Sequence, residues 1–191
     1  MLLDDWLAAL LATPGLTSIS DPSEARRTLL DDSLRAVPLV ERYDGDVIDV
    51  GSGGGAPGIP VADALPERRV TLLEANGRKC EFLRRFAPPN APVVRGRAEE
   101  QEGDLFGVAL AKALAPPPVA AEWCLPLVRE GGAVILFVGP SVDAEHVGRV
   151  AGLLAAELVE SPPGFLVLEK RGPTPPGFPR RPGMARKRPL A

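Results

Sequence analysis

The segment Asp49-Val-Gly51-Ser-Gly53-Gly-Gly55-Ala-Pro57-Gly58 carries the densest chemical signal in the chain. Glycines at alternate positions let a ligand lie close to the backbone and permit the positive φ of a tight turn, and the helix they open offers unpaired amides. Two frames fit the same letters. Gly53-x-Gly55-x-x-Gly58 matches a dinucleotide fingerprint, in which a pyrophosphate sits on the helix N-terminus. Asp49-x-Gly51-x-Gly53-x-Gly55 matches the acidic-plus-glycine loop of S-adenosylmethionine enzymes, with Asp49 accepting hydrogen bonds near the loop and the sulfonium. Glu74 follows one βα unit later, where a carboxylate accepts from both ribose hydroxyls, and either cofactor requires that. Gly96-Arg97-Ala98-Glu99-Glu100 comes where methyltransferases touch adenine with a backbone amide and an acid, although a solvated helix start has the same spacing.

These residues need a sheet edge to hold them. Short apolar bursts at 46–51, 69–74, 93–95, 108–113 and 133–138 alternate with amphipathic stretches at 58–65, 77–86, 118–129 and 142–158. Neighbouring residues within a burst are both apolar (Val47 and Ile48; Leu72 and Leu73), as in strands covered on both faces. The alternation predicts an α/β fold, a Rossmann-like, doubly wound and mostly parallel sheet. Leu158 to Ser161 and Phe165 to Arg171, joined by Pro162-Pro163-Gly164, predict a closing hairpin. Ahead of the sheet, Leu2 to Ala12 and Ser23 to Tyr43 predict helices, with Asp21 or Ser23 as N-cap. The expected organisation is a helical preface (1–45), a cofactor-binding domain (46–172) and a basic, proline-rich tail (173–191).

Composition narrows the function. At 191 residues the chain has room for one core of ordinary size, and its 45% hydrophobic and 25% charged residues are those of a folded protein. The 5% aromatic share disfavours a single-strand-binding module built on stacking platforms. The only cysteines, Cys80 and Cys124, are far apart and read as free packing thiols, with no metal spacing around them. The first residues lack a basic n-region and are broken by Asp4 and Asp5, so a cytoplasmic location is expected. The net charge is −3, but residues 170–191 hold seven basic residues and no acid, leaving −10 on the rest. A cationic end on an acidic body suits phosphate contact, and it equally suits a disordered solubilising tail.

Taken together, these segments resemble the methyltransferase G family of bacterial small-subunit ribosomal RNA, also called the glucose-inhibited division protein B family. Leu16-Thr-Ser-Ile19 and Asp32-Ser-Leu34 are similar to its helical preface, and Asp49 to Pro60, with the Pro-Gly-Ile-Pro ending, to its cofactor loop. Thr71-Leu-Leu-Glu74 with Lys79 and Phe82-Leu-Arg84 resembles its second unit, and Arg97-Ala-Glu-Glu100 its third. Pro179-Arg-Arg-Pro-Gly183 through Lys187-Arg-Pro-Leu190 resembles its basic C-terminal signature. The resemblance implies S-adenosylmethionine as cofactor, 16S rRNA in the small subunit as partner, and methyl transfer to N7 of one guanine; a monomer is expected. By position it implies cofactor contacts from Gly51, Ala56, Ala98, Glu99 and Lys112, with Glu74 on the ribose. RNA contact is expected from Arg180, Arg181, Arg186, Lys187 and Arg188.

The chain departs from the family pattern in places: Lys112 stands for arginine, Val138 for the lysine of a Lys-Gly pair, and no histidine precedes Asp32-Ser-Leu34. The preface is also shorter than usual. Guanine N7 has an in-plane lone pair and no proton at neutral pH, so no catalytic base is expected, and catalysis reduces to alignment and exclusion of water. His146, the only histidine, is expected on an outer helix. The alternatives are a nicotinamide-dependent oxidoreductase, for which no proton-transfer set accompanies the lone Tyr43, and a non-catalytic cofactor-binding module.

Overall fold

The computed structural model describes residues 3–190; Met1, Leu2 and Ala191, at the edges of the expected preface and tail, lie outside it. Strands β1 (Val47–Val50), β2 (Val70–Glu74), β3 (Val93–Arg95), β4 (Phe106–Lys112), β5 (Val128–Phe137), β6 (Ala156–Glu160) and β7 (Phe165–Lys170) form one sheet in the order β3-β2-β1-β4-β5-β7-β6. The first five are parallel, while β7 runs antiparallel to both β5 and β6, completing the expected hairpin. The strand order reverses between β1 and β4, and a ligand crevice forms at such a switch point.

Strict alternation decides which side chains face which layer. Val47, Val108, Leu110 and Ile135 enter one core cluster, and Ile48, Ala109, Ala111 and Leu136 the other. The first cluster is covered by α1 (Leu3–Ala12), α5 (Gly58–Ala64) and α6 (Gly77–Phe86), and the second by α7 (Pro117–Cys124) and α8 (Ala144–Leu153).

Between α1 and β1 the chain forms a helical run: α2 (Pro22–Ala25), a π-type stretch (Arg26–Asp31) and α3 (Asp32–Leu34), followed by α4 (Val37–Val40). Asp21 is the N-cap, its carboxylate accepting from the Glu24 amide at 2.7 Å. The expected helix over Ser23 to Tyr43 is therefore interrupted, because Val37 precedes Pro38 and the chain re-enters helix with that proline in its first turn. Similarly, the stretch 118–129 stops being α-helical at Cys124. Pro126 has no amide for a helical bond, so Leu125–Leu127 tightens to a 3-10 turn and β5 begins at Val128. The stretch 142–158 splits because Ala155 adopts φ 55° and turns the chain from α8 into β6.

The preface shares the main core. Trp6 is fully buried, and Leu7, Leu10, Ala25 and Leu30 join it in the first cluster.

Candidate active site

The loop between β1 and α5 is braced from beneath and behind. Asp49 is buried under it, and one carboxylate oxygen accepts the Gly58 amide at 3.1 Å while the other has no partner among the described residues. Burial pushes this carboxyl up to about 7, and the nearby charge of Glu74 acts in the same direction. Behind the loop, the Trp6 indole donates to the Gly54 carbonyl at 2.8 Å. A Cβ on Gly54 would lie 2.2 Å from Leu10, so glycine here lets the preface seat directly on the loop. Gly51 has φ 72°, and a Cβ there would come within 2.3 Å of Leu114, which overhangs the turn from the end of β4.

Glu74 ends β2 facing the loop. One oxygen accepts from the Gly53 amide at 2.9 Å, the other from Asn76 at 2.7 Å. These bonds fix the carboxylate at the floor of a crevice of 320 Å³ that also takes in Gly51, Leu73, Ala98, Glu99 and Trp123. Leucine and tryptophan supply apolar walls, and Glu74 and Glu99 supply acceptors, a set suited to an adenosine whose hydroxyls and amino group are donors. A second cavity, of 360 Å³, lies between the preface and the loop and is lined by Leu10, Thr28, Gly53, Ala56 and Lys112. The cavities adjoin, sharing Gly51, Lys79 and Ala113.

The residues expected at the cofactor thus divide. Gly51, Glu74, Ala98 and Glu99 line the first cavity, and Gly51, Gly53, Ala56 and Lys112 the second. Asp49 and Gly55 line neither: Asp49 is 1% exposed, which makes it a brace of the loop. Lys112 forms an ion pair with Asp32 of α3 and sits 4.6 Å from the centroid of Phe137. Asp32 also holds Arg35 at 2.8 Å, so the Asp32-Ser-Leu34 triplet ties the preface to the end of β4.

Of the seven basic residues near the C-terminus, Lys170 ends β7 and Arg171 follows it directly. Lys170 is buried, its ammonium donating to the carbonyls of Leu125 and Val128 and to Thr174 and Asp104, and Arg171 pairs with Glu157 and Glu169. Beyond them the chain folds back across α7. Arg180, expected to meet RNA, instead holds the buried carboxylate of Glu122 with two bonds of 2.5 and 2.6 Å, a bidentate pair that leaves little of it for a phosphate. Arg181, Lys187 and Arg188 are exposed and make no ion pair among the described residues. Arg186 and Gly183 line the first cavity. His146, on α8, reaches the Leu190 carbonyl at 3.3 Å and lines a separate cavity with Pro116, Pro117 and Pro118.

Sequence reasoning missed Trp6, Asp32, Leu114, Trp123 and Gly183 as parts of this site. Their contacts join segments far apart in the chain, and a hydrophobic pattern signals burial without telling which loop an element packs on.

The profile of rRNA small subunit methyltransferase G matches residues 4–161. The chain belongs to that family. Its relatives include the ribosomal RNA small subunit methyltransferase G of Synechococcus sp. (strain JA-2-3B'a(2-13)), 37% identical over 93% of this chain and 79% of that protein. That of Clostridium beijerinckii is 31% identical over 99% of this chain and 87% of its own length. Among solved structures, a T. thermophilus 16S rRNA N2 methyltransferase in complex with AdoMet and guanosine aligns with a TM-score of 0.54 at 16% identity, covering 74% of this chain and 40% of that one. The antibiotic-resistance methyltransferase Kmr gives 0.54 at 18% identity, covering 73% and 91%. At these identities the likeness establishes the fold.

Family membership decides between the two readings of the glycine loop. This chain is a methyltransferase that uses S-adenosylmethionine, on a Rossmann-like fold of the methyltransferase type. The adjoining cavities on either side of Gly51 fit a cofactor with an adenosine half and an amino-acid half.

Proposed function

We propose that this enzyme methylates N7 of one guanine in 16S rRNA, acting as a monomer in the cytoplasm. The observation that carries the reading is the pair of cavities meeting at Gly51 in a member of this family: one has the acceptors an adenosine needs, and the other opens between the preface and the loop, where a base can enter. S-adenosylmethionine supplies an electrophilic methyl group on a sulfonium. The chain's part is to hold the ribose hydroxyls at Glu74, present the Gly51 and Gly53 backbone to the amino-acid half, and keep water out with Leu10, Leu16 and Leu114. Lys112, pinned by Asp32, borders the space left for the base or the cofactor carboxylate.

Phosphate contact is assigned to exposed cations around the mouth of the crevice. Arg78 of α6, Arg95 at the end of β3 and Arg97 just beyond it form no ion pair among the described residues, and Arg181, Lys187 and Arg188 supply the same chemistry from the C-terminal segment. On the opposite sheet edge Arg42, Arg149 and Arg171 are all neutralised by glutamates.

Comparing guanine methylation in 16S rRNA from cells with and without this gene tests the substrate; an unchanged 7-methylguanine content would refute it. Because N7 needs no deprotonation, alanine at His146, Cys80 or Cys124 should leave methyl transfer within a few-fold of wild type. A variant among these that binds cofactor normally but transfers no methyl group would overturn the mechanism.

A further inference from the structure

The C-terminal segment is built onto the cofactor crevice through contacts that an RNA-binding arm does not need. The Gly183 amide donates to a Glu99 carboxylate oxygen at 3.0 Å, and the Arg186 guanidinium lies 5.2 Å from the centroid of Trp123 and donates to the Leu114 carbonyl at 3.3 Å. Glu99, Trp123 and Leu114 all line the same cavity as Gly183 and Arg186. The segment is anchored just upstream by Arg180, whose bidentate grip on Glu122 is reinforced by a bond to the Arg188 carbonyl that closes the intervening turn on itself. Ala185 is buried within that turn. The Trp123 indole nitrogen is buried and has no partner among the described residues, so the wall that Arg186 covers retains an unused donor.

We propose that Gly183 and Arg186 are part of the S-adenosylmethionine site, the C-terminal segment acting as a strap that walls its adenosine end. This inference rests on the cofactor reading of the crevice. Glu99 is then shared: one oxygen holds the strap through Gly183, and the other is left for the ligand. Arg186 covers the Trp123 face by a cation–π contact, which is stronger when water is excluded, so a bound adenosine and a seated strap favour one another. Trypsin can read the strap directly, because the bonds after Arg180, Arg186 and Lys187 lie within it.

The test uses the full chain, with S-adenosylhomocysteine as probe. Arg186→Ala should raise its Kd about tenfold in calorimetry, the loss of one such contact, and removal of the residues after Gly177 should raise it further. In the wild-type protein, saturating S-adenosylhomocysteine should slow tryptic cleavage after Arg186 several-fold in the absence of RNA; this reading does not depend on a variant that folds. Unchanged affinity in Arg186→Ala together with unchanged cleavage would overturn the strap while leaving the cofactor site intact. A wild-type protein that bound no S-adenosylhomocysteine would overturn the cofactor reading and the strap with it.

Discussion

The Asp49 carboxylate accepts the amide of Gly58 from beneath the glycine loop, joining the end of β1 to the first turn of α5 at 3.1 Å. Through that bond one buried acid sets the distance between the strand and the helix that the cofactor backbone must span.

Its titration should be visible in stability. Burial raises the Asp49 carboxyl to about 7 in the folded chain, against an ordinary value near 3.8, so between these pH values the folded state holds a proton that the unfolded state has released. Stability from this group is therefore fully present below about pH 4 and falls as pH rises towards 7, by an amount on the order of a few kcal/mol. Denaturant unfolding of wild type and Asp49→Asn from pH 4 to 8 should show this fall in wild type alone.

A cation in the adjoining cavities favours ionised Asp49. Near pH 6.5, binding of S-adenosylmethionine should release protons, whereas the uncharged sulfur of S-adenosylhomocysteine should release fewer. Calorimetry in buffers of different ionisation enthalpy measures the difference; equal release would detach Asp49 from the sulfonium.

Glu74 holds the loop, and in the proposed site its remaining lone pairs accept from the ligand. Glu74→Ala strips acceptors from the Gly53 and Asn76 amides and removes the ribose partner, so cofactor affinity should drop about 10- to 100-fold, with a loss of stability of roughly 1–3 kcal/mol. Glu74→Gln keeps one acceptor oxygen and should lie between. Isothermal titration with S-adenosylhomocysteine and thermal melts separate the two effects.

Trp6 reaches the loop from the preface. Trp6→Phe keeps most of the buried ring and loses the indole bond to the Gly54 carbonyl, so stability should fall by about 1 kcal/mol and cofactor affinity a few-fold. Wild-type affinity in this variant would show that the preface packs on the loop without shaping it.

For RNA contact, replacing Arg78, Arg95 and Arg97 together by alanine should weaken binding of a 16S rRNA fragment and reduce the slope of log affinity against log salt by roughly 2. Arg180→Ala should act through the protein, lowering stability by leaving the Glu122 carboxylate buried without its cation. A salt slope unchanged in the triple variant would move the RNA interface elsewhere.

Much of this architecture was legible in the chain itself. Apolar pairs such as Val47 and Ile48 announce strands covered on both faces, because period-two geometry sends neighbours to opposite layers. Alternate glycines after Asp49, with Glu74 one unit later, announce a nucleotide crevice, because backbone approach and a ribose acceptor are demands on residue type and spacing. Interruptions at Pro38, Pro126 and Ala155 were harder to see, since a helical pattern of side chains continues through positions where the backbone does not.

What only the folded chain decided is which distant segments meet at the loop and which charges are free to act. No local pattern tells that Trp6 donates to Gly54, that Asp32 holds Lys112, or that Gly183 bonds Glu99 across 84 residues of sequence. The basic C-terminal stretch reads as uniform charge, yet Lys170 is buried, Arg180 is neutralised and Arg186 lies against Trp123. Composition counts charges, whereas their chemistry depends on desolvation and on the partner within reach, and both are properties of tertiary packing.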